Sequence, residues 1–139
     1  MTKAEILRQL HVDVVTKLAP SPIAGVGVFA IKPILENEDP FSGCDNSEYL
    51  EFSDAELTDL DPAVMQHVKD MFVHQGGVWY IPEAGVNRID KSYFLNHSAT
   101  PNMEADEAGE HFYALRDIAP GEELTVDYRT YDDQPDPFK

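Results

Sequence analysis

An aromatic-aliphatic run that stops abruptly in polar residues constrains this chain more than any other feature: Ser92-Tyr93-Phe94-Leu95-Asn96-His97-Ser98-Ala99-Thr100-Pro101-Asn102. Tyr93, Phe94 and Leu95 read as a short buried strand. The stop at Asn96-His97-Ser98 sets three hydrogen-bonding side chains and several freed backbone amides at the edge of a core. A second stretch answers it late in the chain. There Pro120-Gly121 turns and Glu122-Glu123 lead into Leu124-Thr125-Val126-Asp127-Tyr128, where Leu124, Val126 and Tyr128 alternate with Thr125 and Asp127 as on a half-buried strand.

The rest is mostly short strands punctuated by turns. Thr2-Lys3-Ala4-Glu5 before Ile6, Leu7 and Leu10 is a capping-box pattern that predicts a short N-terminal helix, a frayed tail being the alternative. His11 to Leu18 alternates through Val12 and Val14 as a strand, and Pro20-Ser21-Pro22 breaks it. Val26, Val28 and Ala30 form the next, with glycines where a backbone approaches something closely or a hairpin bulges. The acidic residues 36–61 read as a solvated face or loop. Asp61-Pro62 predicts a helix start; Val64, Met65, Val68, Met71 and Phe72 share one core-facing side, and Gly76-Gly77 is expected to end the helix. Val78-Trp79-Tyr80-Ile81 reads as a short strand whose Trp79 and Tyr80 pack at an edge or, alternatively, border a ligand, and Met103–Ala105 with His111–Leu115 as a hairpin around Glu107-Ala108-Gly109. The pattern is that of a β-rich α+β domain with one main helix and, at 139 residues, one core.

The two opening stretches resemble the Asn-His-Ser-x-x-Pro-Asn and Glu-Leu-Thr-x-Asp-Tyr signatures of the SET-domain protein-lysine methyltransferases. Ile23-Ala24-Gly25-Val26-Gly27-Val28-Phe29-Ala30 resembles that family's N-terminal Gly-x-Gly segment. The resemblance covers residues 12–131, with 1–11 an N-terminal extension, 46–77 a helical insert and 132–139 a tail. In build the chain is similar to the small zinc-free bacterial and viral members. The resemblance implies several small sheets and a knot-like crossing of the C-terminal strand beside the Asn-His-Ser turn. It also implies S-adenosylmethionine as cofactor, held by the backbone of Gly25, Val26 and Gly27, by Asn96 and by the main chain of His97, with Tyr93 either flanking it or packing in the core. Tyr128 matches the catalytic tyrosine. The lysine channel is expected to involve Phe41, in Phe41-Ser42-Gly43 where the family commonly has Tyr-x-Gly, together with Val126 and Tyr131. Where many members carry Phe or Tyr, Val126 leaves space, so products beyond monomethyl-lysine are expected. The family's zinc-binding cysteines are absent and Ala99 stands where a cysteine is common. No metal is expected, and the lid should come from Tyr131 and Phe138 in the tail or from a second subunit of a homodimer.

Ten Lys plus Arg against 26 Asp plus Glu give a formal charge of −16 and a pI near 4.4. That balance repels phosphates, arguing against direct nucleic-acid binding, and attracts a basic, histone-like or otherwise lysine-rich protein. Solubility alone is an equally good account of the charge. A single cysteine, Cys44, excludes an intramolecular disulfide and a multi-cysteine zinc site. With no apolar leader and no run of membrane-spanning length, a soluble intracellular protein, in cytoplasm or nucleus, with no membrane partner is expected.

Methyl transfer to lysine poses one physical problem. With a pKa of about 10.4, only about one free lysine in a few thousand is neutral at pH 7. A dry channel opening onto a positive sulfonium shifts that balance by desolvation and like-charge repulsion, and needs no strong side-chain base. The rival reading is a SET-like module that binds a basic peptide and transfers nothing. A Cys44-based hydrolase has only one cysteine and scattered histidines behind it.

Overall fold

The computed structural model describes residues 1–42, 48–107 and 111–134. In chain order its elements are α1 (Lys3–Val12), β1 (Thr16–Pro20), β2 (Val26–Ala30), β3 (Tyr49–Ser53), α2 (Pro62–Met71), β4 (Val73–Gln75), β5 (Val78–Pro82), β6 (Asn96–His97), β7 (Met103–Ala105), β8 (Phe112–Ala114) and β9 (Glu123–Val126). The strands form a four-stranded sheet in the order β1-β2-β9-β6, a three-stranded sheet β3-β5-β4 and the hairpin β7-β8. This is the small-sheet, β-rich α+β arrangement expected. No helix among the described residues is long and apolar enough to cross a membrane.

The four-stranded sheet brings the two sequence signatures together. β9 pairs antiparallel with β2 (Val28 opposite Leu124) and parallel with β6 (Asn96 opposite Thr125, His97 opposite Val126). Side chains from β2, β7, β8 and β9, with the bridged loop residues Ile34 and Ile118, form the main core: Val28 and Leu124 are fully buried, and Ile34, Met103, Ala114, Ile118 and Val126 nearly so. Each large aliphatic side chain contributes about 1.5–3 kcal/mol on leaving water, so this cluster dominates stability. Asn102 locks the arrangement from below. Its Nδ2 donates to the Glu123 carbonyl (2.9 Å) and its Oδ1 accepts from Thr125 N (2.8 Å).

The single core expected from length is divided. Val68, Phe72 and Trp79 form a satellite between α2 and the three-stranded sheet, joined by Met65, Met71 and Tyr93. A twisted three-stranded sheet and a helix bury their own apolar faces against each other, which a length argument does not resolve.

Local chemistry also moves several boundaries. The Thr2–Glu5 capping box is complete (Glu5 N to Thr2 Oγ1 3.1 Å, Thr2 N to Glu5 Oε2 2.7 Å), and the helix it starts consumes Val12, so the strand begins at Thr16 and not at His11. Tyr93 and Phe94 are not strand. Asp90 accepts from Ser92 N (2.8 Å) and caps a 3-10 turn over Lys91–Phe94, which packs the aromatics inward without a pairing partner. α2 starts as expected, with Asp61 accepting from Ala63 N (2.8 Å) and Pro62 at its first position, but it ends at Met71. Gly76 and Gly77, both at positive φ (63° and 84°), instead make the two-residue β4–β5 turn that such angles favour. That hairpin makes β5 the central strand. Trp79 is accordingly buried, its Nε1 donating to Asp54 Oδ1 (2.8 Å), and is not an edge residue. The Ala108-Gly109 part of the expected β7–β8 turn lies outside the described residues.

Candidate active site

Leu95, the last residue before β6, turns its carbonyl toward Tyr128, whose hydroxyl donates to it. The Tyr128 backbone N–H in turn donates to His97 Nδ1 (3.0 Å), and the two rings lie 5.3 Å apart. The His97 side chain is 3% exposed. Accepting at Nδ1 places its ring proton on Nε2, and the imidazole serves as a fixed prop for the tyrosine backbone. Burial, with smaller effects from Asp132 and Glu123, pushes the Tyr128 phenol up to about 12. The hydroxyl therefore remains a neutral donor across the physiological range. Beside it, the half-buried Asp127 is held near 2 mainly by its hydrogen bond from the exposed Arg129.

On one side of Tyr128 lies a cavity of about 470 Å³ lined by Leu95, Tyr93, Phe112, Tyr128 and Tyr131, and also by Phe72, just after α2, and Tyr80 of β5. Tyr131 packs edge-on against Phe112 (5.7 Å) and Tyr128 (6.2 Å), and burial drives its phenol well above the ordinary value. Tyr93 stands edge-on to Phe72 (5.8 Å). Among the described residues its buried hydroxyl has no partner in hydrogen-bond geometry, and burial, then the nearby Tyr49 phenol, raises its pKa. Glu48, Glu51 and Asp70 are exposed around the mouth and Asp132 is half-buried there. Such an opening attracts cations. The wall carrying Tyr131 and Asp132 is fastened to β4: Asp133 N donates to the His74 carbonyl (2.8 Å), the His74 ring contacts the Asp133 carboxylate, and Gln134 Nε2 donates to the Phe72 carbonyl (3.3 Å).

A second cluster begins one residue after Leu95. Asn96 Nδ2 donates to Ala24 O (3.1 Å), Val26 O (3.4 Å) and Glu123 Oε2 (2.9 Å), tying the glycine loop to β6 and β9. A Cβ at Gly27 would stand 2.3 Å from Glu123 Oε2, so a side chain here would displace that carboxylate. Gly25, at φ +44°, has open space around it.

Of the residues singled out in the sequence, Gly25, Val26, Gly27, Asn96 and His97 thus meet in one cluster that touches Tyr128 through His97. Tyr131 and Tyr93 sit in the cavity wall. Phe41 and Val126 are not brought to that cavity: Val126 is 1% exposed within the main core, and Phe41 borders a separate hollow between α1, β1 and the 3-10 turn. Gly43, Cys44 and Phe138 lie outside the described residues. Sequence reasoning passed over Ser21, Glu123 and the His74–Asp133 fastening. Ser21 precedes the glycine segment and Glu123 opens the second signature, whereas nothing in the sequence joins His74 to Asp133.

The profile of the SET domain family matches residues 25–129, and the chain belongs to that family. Its members are in general protein-lysine methyltransferases. Among solved structures, a "putative histone methyltransferase" of Plasmodium falciparum is similar at 16% identity over 81% of this chain and 91% of that one, with a TM-score of 0.53. That likeness shows the fold. No curated protein matches the chain.

SET methyltransferases generally use S-adenosylmethionine. The second cluster fits its amino-acid end. Asn96 Oδ1 takes no hydrogen bond from a described residue, leaving an acceptor beside a carboxylate and an open glycine loop, as an α-ammonium group requires.

Proposed function

We propose that this protein transfers the methyl group of S-adenosylmethionine to a lysine side-chain amine of a basic protein. The observation that carries this reading is the Tyr128 hydroxyl–Leu95 carbonyl pair, on the wall of the aromatic cavity and one residue before Asn96, which ties down the glycine loop. When bound, the cofactor supplies an electrophilic methyl on a sulfonium. The chain supplies the rest. Gly25 to Gly27, Asn96 and the His97 backbone hold the amino-acid and nucleoside parts. Tyr93, Phe112, Tyr128 and Tyr131 strip water from an entering ammonium, which lowers its pKa and frees the lone pair. The acidic mouth acts in the opposite sense on that pKa. Its carboxylates are mostly exposed and screened within about 8 Å of solution, so they govern capture of a basic segment more than deprotonation inside. The Tyr128 hydroxyl and Leu95 carbonyl present two oxygens that orient the nitrogen and face the positive charge as it moves, and alignment is where most of the rate gain lies. The released proton leaves through the open mouth.

Incubation with methyl-labelled cofactor and a panel of lysine-rich proteins, beside calorimetry of cofactor binding, tests this. Label is expected on lysine. Cofactor binding without transfer would favour the binding-module reading, and absence of both would overturn the proposal.

A further inference from the structure

Glu123 opens β9 opposite Phe29, and its side chain turns back over the glycine loop. Both carboxylate oxygens lie 2.8 Å from Ser21 Oγ, and Oε2 accepts from Asn96 Nδ2 at 2.9 Å. A Cβ at position 27 would intrude on the space this same oxygen fills. The Glu123 backbone carbonyl is held by Asn102, so the residue cannot drift along the strand. One carboxylate thereby joins the loop before the glycines, the glycines and the Asn96 turn.

A carboxylate accepts and cannot donate, whereas the two ends of an asparagine amide have nearly the same shape. An acceptor-only partner at 2.9 Å therefore settles which end of Asn96 points inward. The reversed amide would press Oδ1 against Glu123 Oε2. Charge-assisted hydrogen bonds are about twice as strong as neutral ones, so this contact outweighs the longer ones to Ala24 O and Val26 O that favour the same orientation.

We propose that Glu123 is a positioning residue for the cofactor's amino-acid end: it turns Asn96 so that an acceptor oxygen faces the α-ammonium, and adds a negative charge one amide away. This rests on the function proposed above and assigns to this site a residue outside the set expected from the sequence. It acts on the amino-acid end alone. The adenine and ribose do not depend on the direction of the Asn96 amide.

Two ligands separate that role from a general structural one: S-adenosylhomocysteine, which carries the amino-acid end, and 5′-methylthioadenosine, which lacks it. Calorimetry on the full chain should show Glu123→Gln weakening S-adenosylhomocysteine about tenfold, as expected for the loss of a hydrogen bond to a charged group. The affinity for 5′-methylthioadenosine should stay within about twofold, since no group it contacts loses a hydrogen bond. Ser21→Ala, which removes one donor and leaves the fold's buried contacts in place, should give the same selective loss at smaller size, and decides the matter if Glu123→Gln does not fold. Equal weakening of both ligands, or of neither, in the folded variants overturns the proposal. A wild-type protein that binds neither nucleoside fails the proposed function itself, a distinguishable result.

Discussion

Replacing Tyr128 by Phe removes one oxygen and almost no packing. The ring contacts with His97 (5.3 Å) and Tyr131 (6.2 Å) persist, as does the backbone N–H bond to His97, which belongs to the main chain. What is lost is the donor to the Leu95 carbonyl. Such a hydrogen bond is worth about 0.5–1.5 kcal/mol net, and the carbonyl borders a cavity that water can enter, so the lower half of that range applies. For a domain of this size the melting temperature should fall by about 2–5 °C. The rate should suffer far more. Removing one preorganised polar group from a reacting centre typically costs about a hundredfold or more in kcat, equivalent to about 2.7 kcal/mol of transition-state stabilisation. Cofactor affinity should change by less than about threefold, because the hydroxyl is not among the groups that hold the cofactor's ends. Thermal melts, calorimetry and single-turnover rates on one preparation give all three numbers. A folded Tyr128→Phe variant that turns over within a few-fold of wild type would refute the reasoning, as would losses of kcat and affinity in equal proportion, which would make the phenol a structural prop.

Other expectations are simpler to read. Titrating phenolate absorbance should show Tyr93, Tyr128 and Tyr131, all raised by burial, still neutral above the ordinary tyrosine range of about 10. Since these folded pKa values exceed the unfolded one, the stability they carry is intact below about pH 10 and is lost as pH rises through the folded values, near 12 for Tyr128; one concerted step near pH 10 in a still-folded protein would contradict this. His74→Phe keeps a ring against Trp79 but gives up the Asp133 contact, so amide exchange over residues 131–134 should speed by about tenfold and peptide KM should rise while cofactor affinity holds. Leu124→Ala, at a fully buried position, should cost about 2–5 kcal/mol in urea unfolding; a loss below about 1 kcal/mol would mean the core has collapsed around the gap.

What the sequence disclosed was the chemistry that has to be local. The Asn96-His97-Ser98 stop and the Leu124–Tyr128 alternation each announce a strand end with polar groups, and they meet in the pairing of β6 with β9. The Thr2 and Asp61 caps are likewise local and were legible. Tyr93 misled because an aromatic-aliphatic run reads the same in a buried strand and in a 3-10 turn capped from Asp90. Trp79 misled because centrality in a sheet depends on which strands arrive on either side. Glu123 sits inside a recognised motif, yet its purpose depends on Ser21 at 2.8 Å and Asn96 at 2.9 Å. The tail's fastening to His74 and the reach of the cavity depend on distant contacts that leave no local pattern.

β9 lies between β2 and β6, yet it enters the sequence long after both. The main sheet therefore stays open along its middle until that short strand slides in, a distant closure of the kind that makes folding slow. Both halves of the candidate site straddle the same seam, so a partly folded chain has nowhere to hold a nucleoside. Ligand added during refolding should leave the folding rate unchanged and retard only the reverse step, working as a clasp fitted after the garment is closed.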